Sequence, residues 1–142
     1  MRYLRARKGD LAGAVEQFVN AEFFFHQLHV STILRPDPFE PVFTAMCPHL
    51  NEGYGREGEP IYWERTGVID SGELVKVMHP KDLIWRHVRQ MEILLSRCKR
   101  KSEELGVLVE KQIVVMDLKG LSLWPNSKAT AVFKETIRID QT

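Results

Sequence analysis

Apolar positions along the chain fall into two kinds of pattern. Leu11, Ala14, Val15, Phe18, Val19, Glu22 and Phe25 lie mostly on one stripe of a 3.6-residue period, which predicts an amphipathic helix over 11–28 behind the N-cap Asp10. The trio Phe23-Phe24-Phe25 is wider than one stripe and predicts burial of that helix end on more than one side. Pro36, Pro38 and Pro41 break regular structure, with room for a short helix over 41–46 before Pro48. Ile84, His87, Met91, Leu94, Cys98, Ser102 and Leu105 step by three or four, the inner face of a long helix from Pro80 to its stop at Gly106. Ala131, Phe133, Ile137 and Ile139 give a last helix capped by Asn126 or Ser127.

The second pattern is the unbroken run Ile113-Val114-Val115-Met116, ended by Asp117. Such a run predicts a central strand covered on both faces, as in a mostly parallel sheet. Ile61 to Glu64 predict another strand, after the glycine-rich connector 51–60, and residues 68–78 a loop or a short turn of helix. Strand, long helix, strand is a βαβ crossover, hence an α/β fold. A loop follows Gly120 through Pro125. Two clear strands leave open edges, so the sheet either pairs with a second molecule or belongs to a larger domain.

Composition narrows the functional classes. A chain of 142 residues, 44% hydrophobic and 27% charged, is one ordinary globular domain. A net charge of +1 gives no overall pull toward nucleic acid, and the run Arg97 to Lys101 ends a helix, where cations complement the dipole. The N-terminus lacks the apolar core of a secretory signal. Cys47 and Cys98 form no disulfide framework, which favours a reducing compartment. The connector matches neither phosphate-loop pattern. His26, His29, Cys47 and His49 are too scattered to predict a metal site, and His87 reads as a partly buried core histidine. Asp117, Lys119 and Gly120 occupy the loop after the central strand, where α/β folds place ligand contacts. Asp117 there reads as an acceptor for loop amides.

Three segments, RYLRARKGDLAGAVEQF at 2–18, GEPIYWERTGVID at 58–70 and VVMDLKGLSL at 114–123, resemble in order and spacing the CRAL-TRIO lipid-binding family, which includes the phosphatidylinositol-transfer proteins. The resemblance implies the end of an N-terminal helical lobe over 1–38 and an incomplete CRAL-TRIO domain over 39–142, with a mostly parallel sheet and the family's C-terminal half missing. It implies a noncatalytic function: binding and intermembrane transfer of a phospholipid, phosphatidylinositol favoured, or of another small hydrophobic molecule. Transient peripheral membrane contact belongs to the same implication, beside the expectations of a cytoplasmic protein with no nucleic-acid partner, no cofactor and no metal. The alternatives are a protein-interaction module or a non-functional partial product. Arg7 and Lys8 match the family's basic pair, where the lysine serves the inositol-lipid headgroup. Tyr62, Met91, Gln112, Val114 and Met116 fall on the pocket wall. Met91, Gln112 and Val114 depart from the tyrosine, serine and threonine of choline-lipid binders.

Overall fold

The computed structural model describes residues 2–29, 32–122 and 126–140. Along the chain run α1 (Arg2–Ala6), α2 (Leu11–Gln27), α3 (Glu40–Met46), β1 (His49–Leu50), β2 (Ile61–Glu64), a 3-10 turn (Thr66–Val68), α4 (Ser71–Val77), α5 (Pro80–Leu105), β3 (Ile113–Met116) and α6 (Ser127–Asp140). The fold is mixed α/β. The helix ends carry their expected chemistry. Asp10 accepts from the Gly13 amide, and Asn126 accepts from those of Lys128 and Ala129. Gly106 closes α5 in the left-handed region at φ 67°, which costs glycine little.

The crossover forms as expected, with β2 and β3 parallel and Tyr62 facing Val114. Three details depart from the pattern reading. Among the described residues β3 stands last in the sheet order β1-β2-β3, and its four residues are between 36% and 49% exposed. An apolar run reports what could be buried, and says nothing of whether a neighbour arrives to bury it. β1, missed in the sequence, pairs antiparallel with β2 (His49 with Glu64, Leu50 with Trp63); two residues are too short to show alternation. Residues 71–77 form two turns of true helix, capped by Asp70 through the amides of Gly72 and Glu73. The loop expected through Pro125 falls partly outside the described residues.

The core sits where α5, α6 and the segment after α2 meet. Ile33, Val88 and Ile139 are buried together, with Phe24, Phe25, Leu28, Ile84, Trp85 and Met91 packed against them. Phe23 instead faces solvent, so the aromatic trio is only partly enclosed. α2 keeps only part of its expected inner face, with Ala14 buried and Phe25 packed on the core. Ala14, Gln17 and Ala21 are buried, whereas Leu11, Val15, Phe18 and Val19 are exposed. Part of this reflects α1, which packs Tyr3 edge-on to Phe18, and the turn after it, from which Arg7 Nε donates to Gln17 Oε1 at 3.0 Å. On α5, Leu105 is exposed, while Leu83 and Arg86 are buried; on α6, Ala131, Phe133 and Ile137 are exposed and Ile139 is buried.

Candidate functional site

Two exposed apolar residues of β3 and two of α6 share a destination. Val114 and Met116 of β3 and Phe133 and Ile137 of α6 look into a cleft of about 680 Å³ between the sheet and helices α4, α5 and α6. Leu74, Val75, Leu83, Met91, Ile93, Leu94 and Val132 complete its apolar walls. Alternation on a strand explains the sheet's share: Gln112, Val114 and Met116 occupy one face, and their neighbour Tyr62 lies beside Val114 on β2. The cleft thus brings together Tyr62, Met91, Gln112, Val114 and Met116.

One end of the cleft is polar. Arg86, 6% exposed, places Nη2 2.6 Å from Asp37 Oδ2 and donates from Nη1 to Glu40 Oε2 at 3.2 Å. The contact with Asp37 is ionic and not a well-aligned hydrogen bond. The guanidinium also lies 4.6 Å from the Phe43 ring centroid. Glu40 Oε1 reaches His49 Nε2 at 3.3 Å, while His49 Nδ1 lies 2.8 Å from the Cys47 carbonyl. Tyr62 donates its hydroxyl to Glu64 Oε2 at 2.6 Å, and Thr66 donates to Glu64 Oε1 at 2.8 Å. Arg89 donates to the Ile33 carbonyl, and Asn51 and Gln90 exchange amide hydrogen bonds. His87 pairs with Asp140 at 2.7 Å on the cleft rim, a more exposed role than a core histidine.

Burial and the bond to Glu64 hold the Tyr62 hydroxyl protonated well above its ordinary range. The Cys47 thiol is pushed up to about 12 by burial first and the nearby Glu64 carboxylate second, with Arg86 opposing. Its ordinary value is 9.0, so between about pH 9 and 12 the native state holds a proton that the unfolded chain has lost. Stability from this group is complete below pH 9 and declines as pH rises through that window. Native Cys47 is therefore expected to resist iodoacetamide at about pH 8.5 and to react on unfolding in urea. Mass-spectrometric mapping of the alkylated cysteine checks this; rapid native alkylation of Cys47 would contradict it.

The other sequence-marked residues lie elsewhere. Lys8 occupies the exposed turn between α1 and α2 at φ 52°, and neither it nor Arg7 lines the cleft. Asp117 Oδ1 accepts from the Lys119 amide at 3.0 Å, and its carbonyl accepts from Gly67 at 2.8 Å. Gly120 turns the loop at φ 92°. The basic run expected to end a helix stops short of the last turn of α5, which runs on to Leu105 and carries no cation; instead Arg97 and Lys101 lie over the Tyr54 ring, and Arg100 donates to its hydroxyl. Sequence reading missed the polar end of the cleft. Arg86 stands on the inward spacing of α5 with Leu83 and Gln90, and a cation at such a position is a signal that carboxylates face it.

Comparison with known proteins agrees with this architecture. The sequence is 30% identical to the SEC14 cytosolic factor of Candida glabrata, over 99% of this chain and 48% of the relative. It is 28% identical to a CRAL-TRIO domain-containing protein of Saccharomyces cerevisiae, over 99% of this chain and 48% of that one. It is 26% identical to the Sec14 cytosolic factor of Schizosaccharomyces pombe, over 99% and 50% respectively. No protein-family model matches the sequence. The chain spans about half the length of the curated relatives it matches. That similarity runs along 99% of this chain, and the parallel β2–α5–β3 crossover is consistent with it: the chain is homologous to part of the Sec14 and CRAL-TRIO proteins, as a fragment of their domain would be.

Proposed function

We propose that the cleft shelters the acyl part of a phospholipid, phosphatidylinositol being favoured, or of another small hydrophobic molecule, and that the chain serves lipid binding and transfer without catalysis. The observation that carries this reading is the orientation of Val114, Met116, Phe133 and Ile137. These four exposed apolar side chains, from a strand and a helix, share one cleft. At about 680 Å³ the cleft is within the ordinary size range of small-molecule sites. Each methylene that leaves water there gains about 0.8 kcal/mol. Support also comes from the Sec14 and CRAL-TRIO names of the relatives.

The headgroup part of the proposal rests on the resemblance alone. Lys8 is its contact, with Arg7 beside it, and the departures at Met91, Gln112 and Val114 disfavour a choline headgroup. Transient contact with a cytoplasmic membrane surface belongs to the same reading. No helix among the described residues is long and apolar enough to cross a membrane. Transfer of pyrene-labelled phosphatidylinositol between vesicles tests both parts. Val114→Trp, which fills the cleft, is expected to slow transfer about tenfold or more. Lys8→Ala is expected to slow inositol-lipid transfer but not that of a pyrene-labelled fatty acid. Unchanged transfer by Val114→Trp would overturn the cleft assignment, and unchanged inositol-lipid transfer by Lys8→Ala the headgroup assignment.

A further inference from the structure

The glycine-rich connector 51–60 and the basic run of α5 take no part in the cleft, and they meet at Tyr54. The connector folds back on itself. Gly53 turns it at φ 84°, the Gly55 amide donates to the Glu59 carbonyl at 2.7 Å, and Ile61 donates to that of Gly53 at 3.2 Å. This hairpin holds Tyr54 opposite Pro60 with its side chain against α5.

On α5, Arg97, Arg100, Lys101 and Glu104 are neighbours at helical spacings of three and four. Arg97 Cζ lies 4.7 Å and Lys101 Nζ 4.6 Å from the centre of the Tyr54 ring, and Arg100 Nη2 donates to its hydroxyl at 2.8 Å. Arg97 is fixed in place by the Gly53 carbonyl, to which its Nη2 donates at 2.9 Å. Glu104 pairs with Lys101 at 2.5 Å and stands 3.9 Å from Arg100. The cluster thus gathers three positive charges and one negative charge around a neutral phenol. The bond from Arg100 first, and the nearby Arg97 second, hold the Tyr54 hydroxyl below its ordinary range, so negative charge on that oxygen is favoured. Every member lies on the connector or on α5, which are both described throughout. Tyr62 offers no such place, because its hydroxyl donates to Glu64 Oε2 at 2.6 Å and a phosphate there would face that carboxylate.

We infer that Tyr54 is a phosphorylation site whose phosphate is received by Arg97, Arg100 and Lys101. The donor is ATP on a tyrosine kinase. The bond from Tyr54 Oη to the γ-phosphorus forms, and the bond from that phosphorus to the β,γ-bridging oxygen breaks. ADP leaves with the electron pair, and the phenolic proton passes to the kinase's base. A phosphate brings a charge of about −1.5 to −2 and three acceptor oxygens, which matches the cluster's excess of two positive charges. It is carried by an oxygen already 2.8 Å from Arg100, so it meets that guanidinium without a backbone movement and fastens the connector to α5. The inference rests on this cluster and not on the lipid reading.

Two measurements test it. A tyrosine kinase that labels a synthetic peptide of residues 49–59 is given the folded 142-residue chain and ATP, and the phosphosites are mapped by mass spectrometry. Tyr54 is expected to be labelled and Tyr62 not. A folded chain left unlabelled at Tyr54 would overturn the inference. In the second, phosphotyrosine is built in at position 54 by genetic encoding and titrated by phosphorus NMR. Its second pKa is expected about one unit below the value of about 6 found in the peptide. Arg100→Gln, at a side chain 63% exposed and so of small consequence for the fold, is expected to return that pKa toward the peptide value. The phosphate is also expected to raise Tm by about 4 °C, an increase that shrinks in about 1 M salt. A phosphate that titrates in the folded chain as it does in the peptide would overturn the inference.

Discussion

Arg86→Ala is expected to be the most damaging single substitution in the protein, costing about 3–5 kcal/mol. The guanidinium is 6% exposed and the Asp37 side chain facing it 8% exposed, so removing the cation leaves a carboxylate in a site that water barely reaches. Glu40 loses a partner as well, which leaves the 4.0 Å contact with Arg89 to join α3 to α5 at the polar end of the cleft. For a domain of this size the loss corresponds to roughly a 10 °C fall in Tm. Calorimetry of Arg86→Ala beside the triple variant Arg86→Met, Asp37→Asn, Glu40→Gln separates the causes. If the uncompensated charge is the source, the triple variant, which removes charge from both sides, recovers most of the loss. A fall of less than about 1 kcal/mol for Arg86→Ala would show that the ion pair is not the closed, desolvated contact described above.

Gly67→Ala is expected to cost about 2–4 kcal/mol for a different reason. A Cβ on Gly67 would stand 2.3 Å from the Lys119 carbonyl oxygen and 2.5 Å from the Leu118 carbonyl carbon. Both are backbone atoms and cannot rotate aside. The turn after β2 and the loop after β3 are in this way pressed together, and the Gly67 amide bonds the Asp117 carbonyl across the contact. Hydrogen exchange checks the account locally: in Gly67→Ala the amides of residues 67 and 117 should lose protection while those of α5 keep theirs. Unaltered protection at both would mean that the loops part without cost.

These two sites show where sequence reading reached and where it stopped. The long helix was legible to its ends, because Pro80, the three-to-four spacing and Gly106 are local signals that no tertiary contact overrides. The strand at 113–116 was legible as a strand, and among the described residues it stands last in the sheet. The cleft was half legible. The resemblance placed Tyr62, Met91, Gln112, Val114 and Met116 on one wall, and those residues do share a cleft. The opposite wall was misread: Phe133 and Ile137 were expected inside the core, whereas they are 61% and 41% exposed toward that cleft. Hydrophobic periodicity cannot distinguish a core face from a cavity face, because both exclude polar side chains. The network of Arg86 with Asp37 and Glu40 joins residues 46 or more positions apart, and no local pattern encodes such a pairing.

The central claim, that this cleft takes up a lipid chain, is tested most directly by what the protein carries away from a membrane. The 142-residue chain would be incubated with vesicles of phosphatidylinositol, phosphatidylcholine and phosphatidylserine, re-isolated by size exclusion, and weighed intact by native mass spectrometry. The account predicts an adduct of about one phospholipid per chain, enriched in phosphatidylinositol and lost in Val114→Trp. Recovery of the bare chain, or of an adduct that survives Val114→Trp unchanged, would contradict it.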